Sequence, residues 1–529
     1  MRRRWVTGPA PPQTDGITLG APLQLPRLRG QTTSNASDVL PYATAAGPLS
    51  IQPTSVARPV DADDVSTLLR WASQRGEPVV PRGAGTGMPG GNVGRGIALD
   101  LGACFRRMEP LDVFGRTVRV QPGVLAGDVD RAARLAGLFL PPLPSSADRC
   151  TIGGMVANNA AGARTFKYGA IRDWVQALDV VTADGSQYRL ERGETVPPEF
   201  ATLHTELEAE LGNEPAGWPN VRKNSSGYAL DRFLPEADAV QLVVGSEGTI
   251  AVVTSVTLML APVPQAQAVA LIALRSLLDL PTLVQWAHDN SASACEFFGR
   301  RFLEVASLAH HVGAAGAVEG AEAALLLELD GDPDSVSAGA DSLRRLAREL
   351  GLHAIIGMEE SDRRNLWSVR HAASPLIAES ARSGLVSTQI IEDSVVPPEA
   401  LGAYLSGVDE ILHSADTDAV IFGHAGDANI HVNPLLDVGR SSWRERARAL
   451  LKETVDLVAD LGGTLSGEHG DGRLRAPFME QIWGPKLAAC FERTKNTLDP
   501  AGVLNPGVII PCPHQDPLEG LWPQYSGAA

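Results

Sequence analysis

The sequence predicts an α+β protein with two domains and a short irregular arm. The chain has 529 residues, which is too long for a single hydrophobic core. Before about residue 263, short apolar segments are separated by glycine-rich turns. Beyond it, longer apolar strands alternate with amphipathic helices. The second pattern is typical of an antiparallel sheet with helices packed on one face.

The N-terminal arm covers residues 1–40, which are rich in Pro, Gly, Thr and Gln and have little periodicity. Such a composition predicts irregular backbone. The first domain then begins with a cluster of helix N-cap residues, Asp61-Ala-Asp-Asp64, followed by an amphipathic helix over 65–72. Pro78-Val-Val-Pro81 and residues 96–101 are each typical of a short buried strand.

A glycine-rich loop joins these two strands and contains the pattern G-x-G-x-x-G at Gly85, Gly87 and Gly90. In a Rossmann fold this fingerprint opens a helix. Here Pro89 lies inside it and a strand follows, so we reject that interpretation. The remaining choices are an anion nest of backbone N–H groups, suited to a pyrophosphate, and a plain surface loop.

The rest of the first domain supports a ligand site. Residues 118–123 predict a strand and turn, and 126–138 a helix. The segment 141–164 then consists largely of Gly, Ala, Ser and Asn, which either packs backbone to backbone or accommodates a large flat ligand. A third glycine turn, Val244-Gly-Ser-Glu-Gly-Thr249, precedes a strand over 250–260.

The second domain is predicted over residues 264–485. Its strands are predicted at 268–273, 324–329 and 388–391, and its helices at 336–350, 398–412 and 443–461. A last helix is predicted at 486–498.

Two histidines, His424 and His431, bracket a run of turn-forming residues between two strand-like segments. This pattern predicts a hairpin in which they are near cross-strand neighbours, with Cβ atoms roughly 5 Å apart. Two imidazoles at that distance can share one metal ion at about 2.1 Å. The alternative is a pair of structural, hydrogen-bonded histidines.

A carboxylate and a third histidine follow in Ser466-Gly-Glu-His-Gly-Asp-Gly472. Two histidines with Glu468 leave coordination positions open for a substrate, as a catalytic site requires. His469 then remains as a candidate base.

Composition narrows the class of protein. The net charge of -17 argues against nucleic acid or an anionic membrane as a partner. No apolar run has the length of a transmembrane helix, and the start lacks the apolar stretch of a secretion signal. The five cysteines lack the spacing of an iron–sulfur or zinc framework. We expect a cytoplasmic protein, with peripheral attachment to the inner face of the membrane as the alternative.

Taken together, the motifs resemble those of the FAD-dependent D-2-hydroxy-acid dehydrogenases, which include D-lactate, glycolate and D-2-hydroxyglutarate dehydrogenases. The resemblance begins with Pro81-Arg-Gly-Ala-Gly-Thr-Gly87 and covers about residues 40–510. Its further motifs lie at 151–159, 162–164, 167–169, 223–228, 245–249, 424–431, 466–470 and 499–507. The glycine-rich form of 466–472 is most similar to the flavin part of larger members with a C-terminal iron–sulfur domain, which this chain is expected to lack.

This resemblance implies a two-part FAD-binding domain (41–263) of the vanillyl-alcohol oxidase fold and an α+β substrate domain. Residues 486–529 are implied to return to the FAD domain. FAD is expected to be non-covalent, because no His lies in the 82–91 loop. The implied cofactor-binding residues are Pro81, Arg82, Gly83, Ala84, Gly85, Thr86, Gly87, Pro144, Ser145, Gly153, Gly154, Asn158, Gly162, Gly248, Ile250 and Asn505.

The resemblance also implies site roles. His424, His431 and Glu468 hold a divalent metal, zinc or manganese, and His469 is the base. Arg370 binds the substrate carboxylate, with Arg473 and Arg475 as alternatives, and Asn433 touches substrate or flavin.

The second-carboxylate lysine of D-2-hydroxyglutarate dehydrogenases is absent from Ile390-Ile-Glu-Asp-Ser-Val-Val-Pro397. We therefore expect a small monocarboxylate such as lactate or glycolate. The sequence does not identify the electron acceptor, for which an iron–sulfur subunit and a quinone are the candidates. The alternatives are the flavin subunit of a multi-subunit iron–sulfur dehydrogenase and a metallohydrolase without flavin.

Overall fold

The computed structural model describes residues 24–212, 217–307, 315–371 and 385–521. The first 23 residues of the predicted arm and the last eight of the predicted C-terminal segment lie outside this part of the chain. The strands are β1 (Gln31–Thr33), β2 (Ser55–Arg58), β3 (Val79–Arg82), β4 (Ile97–Asp100), β5 (Thr117–Val120), β6 (Leu138–Phe139), β7 (Val175–Thr182), β8 (Gln187–Glu191), β9 (Ala251–Met259), β10 (Ala261–Pro262), β11 (Ala266–Leu274), β12 (Ala294–Gly299), β13 (Ala323–Gly331), β14 (His353–Gly357), β15 (Leu385–Ser387), β16 (Ser394–Val395), β17 (Asp418–His424) and β18 (Asn429–Asp437).

Helices of very different length connect these strands. The helices are α1 (Ala36–Val39), α2 (Ala62–Ser73), α3 (Ala126–Leu135), α4 (Ile152–Asn158), α5 (Thr165–Tyr168), α6 (Pro198–Leu211), α7 (Leu230–Phe233), α8 (Ala239–Val243), α9 (Leu280–Asp289), α10 (Arg300–Ser307), α11 (Pro333–Glu349), α12 (Glu360–His371), α13 (Leu401–Ser414), α14 (Trp443–Asp460), α15 (Gly472–Arg475) and α16 (Met479–Leu498).

The N-terminal part contains two four-stranded sheets, in the orders β1-β2-β4-β3 and β5-β9-β7-β8. The predicted helix over 65–72 lies within α2, where Asp61 accepts a hydrogen bond from Asp64 N as its N-cap. The strands predicted on either side of the glycine-rich loop are β3 and β4, which pair in parallel. The loop is therefore a crossover that contains no helix, as the rejection of a Rossmann fingerprint requires.

Two predictions in this part need correction. The arm was predicted to be irregular, but β1 pairs with β2 and so extends the first sheet. The helix predicted over 126–138 ends at Leu135. Gly137 has a positive φ of 73°, which stops the helix, and the next two residues form β6 against β10.

The C-terminal part is built on an antiparallel sheet in the order β14-β11-β13-β12-β17-β18-β15, with β16 also paired to β18. One face packs against α9, α11, α13 and α14. The prediction that helices cover only one face of this sheet is wrong. Side chains of α10 and α12, including Phe302, Leu366 and Val369, cover the opposite face around Phe298, and this second face carries the site described below.

The prediction of a strand at 388–391 is also wrong. The edge strand β15 ends at Ser387, and Gln389 adopts a positive φ of 51° that turns the chain out of the sheet. The apolar Ile390 and Ile391 are buried in the core instead. This turn brings the next two residues, Glu392 and Asp393, beneath the histidines of β17 and β18.

Charged residues join the two parts of the chain. Arg164 pairs with Glu328 of β13 through two contacts of 2.6 and 2.9 Å. Lys167 Nζ lies 2.5 Å from Asp330 Oδ1, and the Tyr168 hydroxyl donates to Asp330 Oδ2 at 2.8 Å. These contacts fix the segment after α4 against the C-terminal sheet.

The end of the described chain returns to the N-terminal part, where Leu504 forms a parallel bridge with Val79 and Leu521 an antiparallel bridge with Leu49. The helix predicted at 486–498 is the second half of α16, which is interrupted at Gly484. Within the described ranges, no helix combines the length and apolar content needed to cross a membrane.

Candidate active site

The predicted histidine hairpin is present as β17 and β18. Its register pairs Phe422 with His431 and His424 with Asn429. The two histidines are therefore diagonal neighbours on one face and not direct cross-strand partners, because the turn uses Ala428 at a positive φ of 51° to begin β18. The Nε2 atoms of His424 and His431 still lie 3.5 Å apart.

The loop after α14 adds the carboxylate and the third imidazole. Glu468 Oε1 lies 3.3 Å from Nε2 of both His424 and His431, and 3.4 Å from Nε2 of His469. Buried Asp393 shapes this loop by accepting hydrogen bonds from Glu468 N, His469 N and the Ser466 hydroxyl at 2.9–3.0 Å. One carboxylate oxygen thus faces three imidazole nitrogens.

The far nitrogen of each imidazole is also engaged. Nδ1 of His424 lies 2.5 Å from Glu296 Oε1. Nδ1 of His431 lies 2.7 Å from the Glu392 main-chain oxygen, and Nδ1 of His469 lies 2.7 Å from Glu392 Oε2. Because oxygen atoms accept at every Nδ1, each Nε2 can present its lone pair to the centre, the arrangement typical of metal-binding histidines.

The donor atoms of His424, His431 and Glu468 lie within 4.8 Å of one another and are buried. Two imidazoles and a carboxylate suit Zn²⁺, Mn²⁺ or Co²⁺. The residues that are present therefore fit a divalent cation.

The electrostatics agree with that fit. Burial alone would raise the pKa of Glu468, but Lys223 and His424 hold this pKa well below its usual value. Burial alone would lower the pKa of His469, but Glu392 and Asp393 hold it well above its usual value. The surrounding carboxylates therefore create a negative potential that attracts positive charge to the centre.

Lys223, the first residue of the 223–228 motif, lies beside Glu468 at the centre of the cluster. Its buried ammonium lies 2.6 Å from Glu468 Oε2. With Oε2 held in this way, Oε1 is the oxygen that faces the imidazoles. Glu468 is thereby presented as a one-oxygen ligand, which leaves room for other ligands.

Sequence reasoning missed three further residues, namely Glu296, Glu392 and Asp393. Glu296 interrupts an otherwise uncharged strand, Ala294-Cys-Glu-Phe-Phe-Gly299, and this signal could have singled it out. Glu392 and Asp393 belong to the segment 390–397, which was notable in the sequence only for its lack of a lysine. Nothing local in that segment indicates that it lies under the histidines.

A cavity of about 1530 Å³ runs from the glycine-rich loop to the histidine cluster. It is lined by His424, His431, Glu468, His469, Arg370, Asn433 and fourteen of the residues proposed to bind the cofactor: Pro81, Arg82, Gly83, Ala84, Gly85, Thr86, Gly87, Pro144, Ser145, Gly153, Gly154, Asn158, Gly162 and Gly248. Small residues line one wall and the charged cluster closes one end, so the cavity suits a large flat cofactor beside a small polar substrate.

Two of the proposed cofactor residues, both within the described chain, do not line this cavity. Ile250 lies immediately before β9, is fully buried and packs in the hydrophobic core. Asn505 uses its side-chain amide to donate to the main-chain oxygens of Gly91 and Glu247, each at 2.8 Å. Asn505 therefore connects the loops that contain Gly91 and Glu247, behind the wall of the cavity.

Arg82 lines the cavity but uses its guanidinium elsewhere. It donates to the main-chain oxygens of Tyr42, Thr44 and Asn92 at 2.8–3.2 Å. A Cβ at Gly85 would come within 2.5 Å of this guanidinium. Arg82 therefore holds the glycine-rich loop in its folded path.

The glycines of α4 differ in what they face. A Cβ at Gly153 would lie 2.4 Å from Pro122 Cβ, so this glycine permits close packing of α4 on the preceding turn. A Cβ at Gly154 would meet only Thr151 Oγ1, at 3.4 Å, and would otherwise point into open space. Gly154 is therefore the position of the two at which added bulk would enter the cavity.

We expect Gly154→Val to weaken FAD retention roughly five- to hundredfold, because overpacking costs about 1–3 kcal/mol. The FAD content of the purified protein, measured by absorbance after denaturation, tests this. Gly402→Val is the matched control, because Gly402 is exposed on α13 with nothing within 4 Å of an added Cβ. Full FAD content in Gly154→Val would place the cofactor elsewhere.

Arg370 and Asn433 line the cavity together with the histidines. Arg370 projects from α12, with its Nε 2.8 Å from Glu296 Oε2 and its guanidinium carbon 4.9 Å from the Phe422 ring centre. Asn433 shares the face of His431 and accepts from the Ser387 hydroxyl at 3.4 Å. Both are placed to meet a ligand beside the histidines.

Arg473 and Arg475, the alternative carboxylate ligands, have other partners. Arg475 is buried and donates to Glu392 Oε1 at 2.6 Å and Gly470 O at 2.6 Å. Arg473 donates to Gly90 O and Asn505 Oδ1, both at 2.9 Å. Of these three arginines, Arg370 is the one that lines the cavity.

Comparisons with known proteins agree with this geometry. Residues 53–191 match the family "FAD binding domain", and residues 263–509 match "FAD linked oxidases, C-terminal domain". The chain is 30% identical over 483 residues to glycolate oxidase subunit GlcD of Bacillus subtilis, covering 90% of this chain and 93% of that protein. It is 29% identical to a D-lactate dehydrogenase of Archaeoglobus fulgidus, covering 86% and 91% of the two chains.

A third relative is a D-2-hydroxyglutarate dehydrogenase of Xanthomonas citri pv. viticola, 30% identical over 87% of this chain and 89% of that one. Among solved structures, 4-ethylphenol oxidase from Gulosibacter chungangensis superposes with a TM-score of 0.67 at 16% identity, covering 93% of this chain and 94% of the other. p-Cresol methylhydroxylase gives 0.67 at 15%, covering 91% and 94%. At such low identity these structures establish the fold alone.

Proposed function

Because this chain belongs to the FAD-linked oxidase family, we propose that it oxidises a small D-2-hydroxy acid, of the lactate or glycolate type, to the 2-oxo acid. The single observation that carries this proposal is the convergence of His424, His431 and Glu468 at one end of the cavity. When bound, the flavin supplies a hydride acceptor and the divalent cation supplies Lewis acidity toward the substrate hydroxyl.

The remaining chemistry is assigned to side chains of this chain. Arg370 binds the substrate carboxylate, for which a planar guanidinium is well matched. His469 accepts the hydroxyl proton at Nε2, while Glu392 holds its Nδ1. Asn433 orients the substrate from the β18 side.

The flavin site is proposed on the other cavity wall. The 81–87 loop and α4 enclose the cofactor, and the Asn158 side-chain amide donates to the His469 main-chain oxygen. That bond links the proposed flavin wall directly to the loop of the proposed base. Neither the 81–87 loop nor α4 contains a histidine, so a non-covalent flavin is expected.

A second candidate is the flavin subunit of a multi-subunit dehydrogenase, which the name "glycolate oxidase subunit GlcD" of a relative supports. In that case the purified chain would reduce an artificial dye with substrate but would not reduce its natural acceptor until an iron–sulfur partner was added. A metallohydrolase without flavin is no longer favoured, because both family matches are to FAD-linked domains.

A dye-reduction screen of paired D- and L-2-hydroxy acids tests the substrate. We expect the D series to be oxidised and D-lactate or glycolate to exceed D-2-hydroxyglutarate in kcat/KM. The reason is that residues 390–397 offer no lysine for a second carboxylate, and an unpaired charge in a buried site is costly. A clear preference for D-2-hydroxyglutarate would show that another cation binds its second carboxylate.

A further inference from the structure

Glu296 lies between the proposed metal ligands and the proposed substrate arginine. It belongs to β12, and the register of β12 with β17 places it directly opposite His424. Its side chain is fully buried. A buried carboxylate is costly unless it is paired, so the partners of its two oxygens indicate why the charge is there.

The two oxygens have different partners. Oε1 lies 2.5 Å from His424 Nδ1, and Oε2 lies 2.8 Å from Arg370 Nε. His424 presents its other nitrogen to the cluster. Glu296 therefore connects a histidine of the cluster and the arginine at the cavity through a single rigid group.

The charge on Glu296 is maintained by both partners. Arg370 forms an ion pair with one oxygen at 2.8 Å, and His424 lies 2.5 Å from the other. A carboxylate behind a ligating imidazole fixes the ring tautomer and makes its other nitrogen a better donor.

We propose that Glu296 is a positioning residue that couples cation binding at His424 to carboxylate recognition by Arg370. This inference rests on the proposed function, because it takes His424 as a metal ligand and Arg370 as the carboxylate ligand. Coupling of this kind is reciprocal, so a change at either partner of Glu296 alters affinity at the other.

The sign of the coupling follows from the charges. Arg370 and His424 share the single negative charge of Glu296. Removing the guanidinium leaves that charge entirely to His424 and so strengthens cation binding. Removing the carboxylate weakens cation binding and also releases Arg370 from its anchor.

The first test uses Glu296→Gln, which preserves the side-chain volume but removes the charge and one acceptor. Mn²⁺ affinity of the purified flavoprotein is measured by the EPR signal of free Mn²⁺. Oxalate affinity is then measured at saturating Mn²⁺ by the change in flavin absorbance. We expect Mn²⁺ to bind about 10- to 100-fold more weakly and oxalate about tenfold more weakly.

The second test is a double-mutant cycle with Mn²⁺ alone. Arg370→Met should strengthen Mn²⁺ binding severalfold, and this gain should disappear in the Glu296→Gln background. Arg344→Met is the control, because Arg344 is an exposed arginine of α11 that pairs with Asp341 and does not line the cavity. It should leave Mn²⁺ affinity unchanged. If Glu296→Gln does not retain FAD, equal Mn²⁺ affinities in Arg370→Met and Arg344→Met would still overturn the coupling.

Other outcomes are also decisive. Mn²⁺ or oxalate affinity within twofold of wild type in folded Glu296→Gln would overturn the coupling while leaving the proposed function standing. If Arg370→Met strengthens Mn²⁺ binding equally with and without Glu296, the effect is through-space repulsion between Arg370 and the cation. That result would overturn the coupling as well. A wild-type flavoprotein that binds no Mn²⁺ would overturn the metal site itself.

Discussion

Removal of the divalent cation should abolish turnover of a 2-hydroxy acid while leaving FAD bound. His424, His431 and Glu468 are the donors that converge at the end of the cavity, whereas the small-residue wall proposed for the flavin lies apart from them. Losing Lewis acidity removes several kcal/mol of transition-state stabilisation, or roughly 10³-fold in rate. Dialysis against a chelator, followed by rate and flavin absorbance measurements, tests this.

Readdition of Zn²⁺, Mn²⁺ and Co²⁺ in turn should restore activity and identify the preferred ion, which the donor set does not decide. His424→Ala should reproduce the chelated enzyme and should not be rescued by these ions. His413→Ala, at an exposed position of α13, is the matched control. Full turnover by protein that elemental analysis shows to be free of metal would refute the metal role.

The sequence was most informative where the site is local. The hairpin carrying His424 and His431 could be predicted because strand, turn and strand follow one another within a few residues. Glu468 and His469 were found because glycines flank them. In each case the chemistry and the backbone signal lie in the same short segment.

The missed residues depend on distant pairings. Glu296 is 128 positions from His424, and only the β12–β17 register reveals that they touch. Glu392 reaches the cluster because the chain leaves the sheet after Ser387, whereas the apolar Ile390 and Ile391 suggested a continued strand. Both facts are set by tertiary packing.

The roles of individual glycines also depend on tertiary packing and could not be predicted from the sequence. The small-residue segment of α4 lines the cavity, but the sequence could not distinguish Gly153 from Gly154. Gly153 accommodates Pro122, a neighbour within the protein, and Gly154 faces the cavity. A bulky residue at Gly153 would therefore disturb folding as well as cofactor binding, so it is the poorer test of the flavin site.

His469 has the geometry expected of a base. Its side chain is 27% exposed, against 3–5% for His424 and His431, so it is the histidine of the cluster most open to the cavity. Its ring stacks on His431 with centroids 5.4 Å apart. Glu392 and Asp393 hold the pKa of His469 above its usual value, which favours the protonated ring, and a cation bound at the neighbouring ligands would oppose that shift and favour the neutral ring that a base requires.

His469→Gln should therefore lower kcat by roughly 10²-fold or more, with a smaller change in KM, because a general base acts mainly in the transition state. His353→Gln, an exposed position of β14, is the matched control and should keep wild-type kinetics. Metal and FAD contents must equal those of wild type, so that the loss reports proton transfer and not a damaged site. An unchanged kcat would place the base on another group of the cavity.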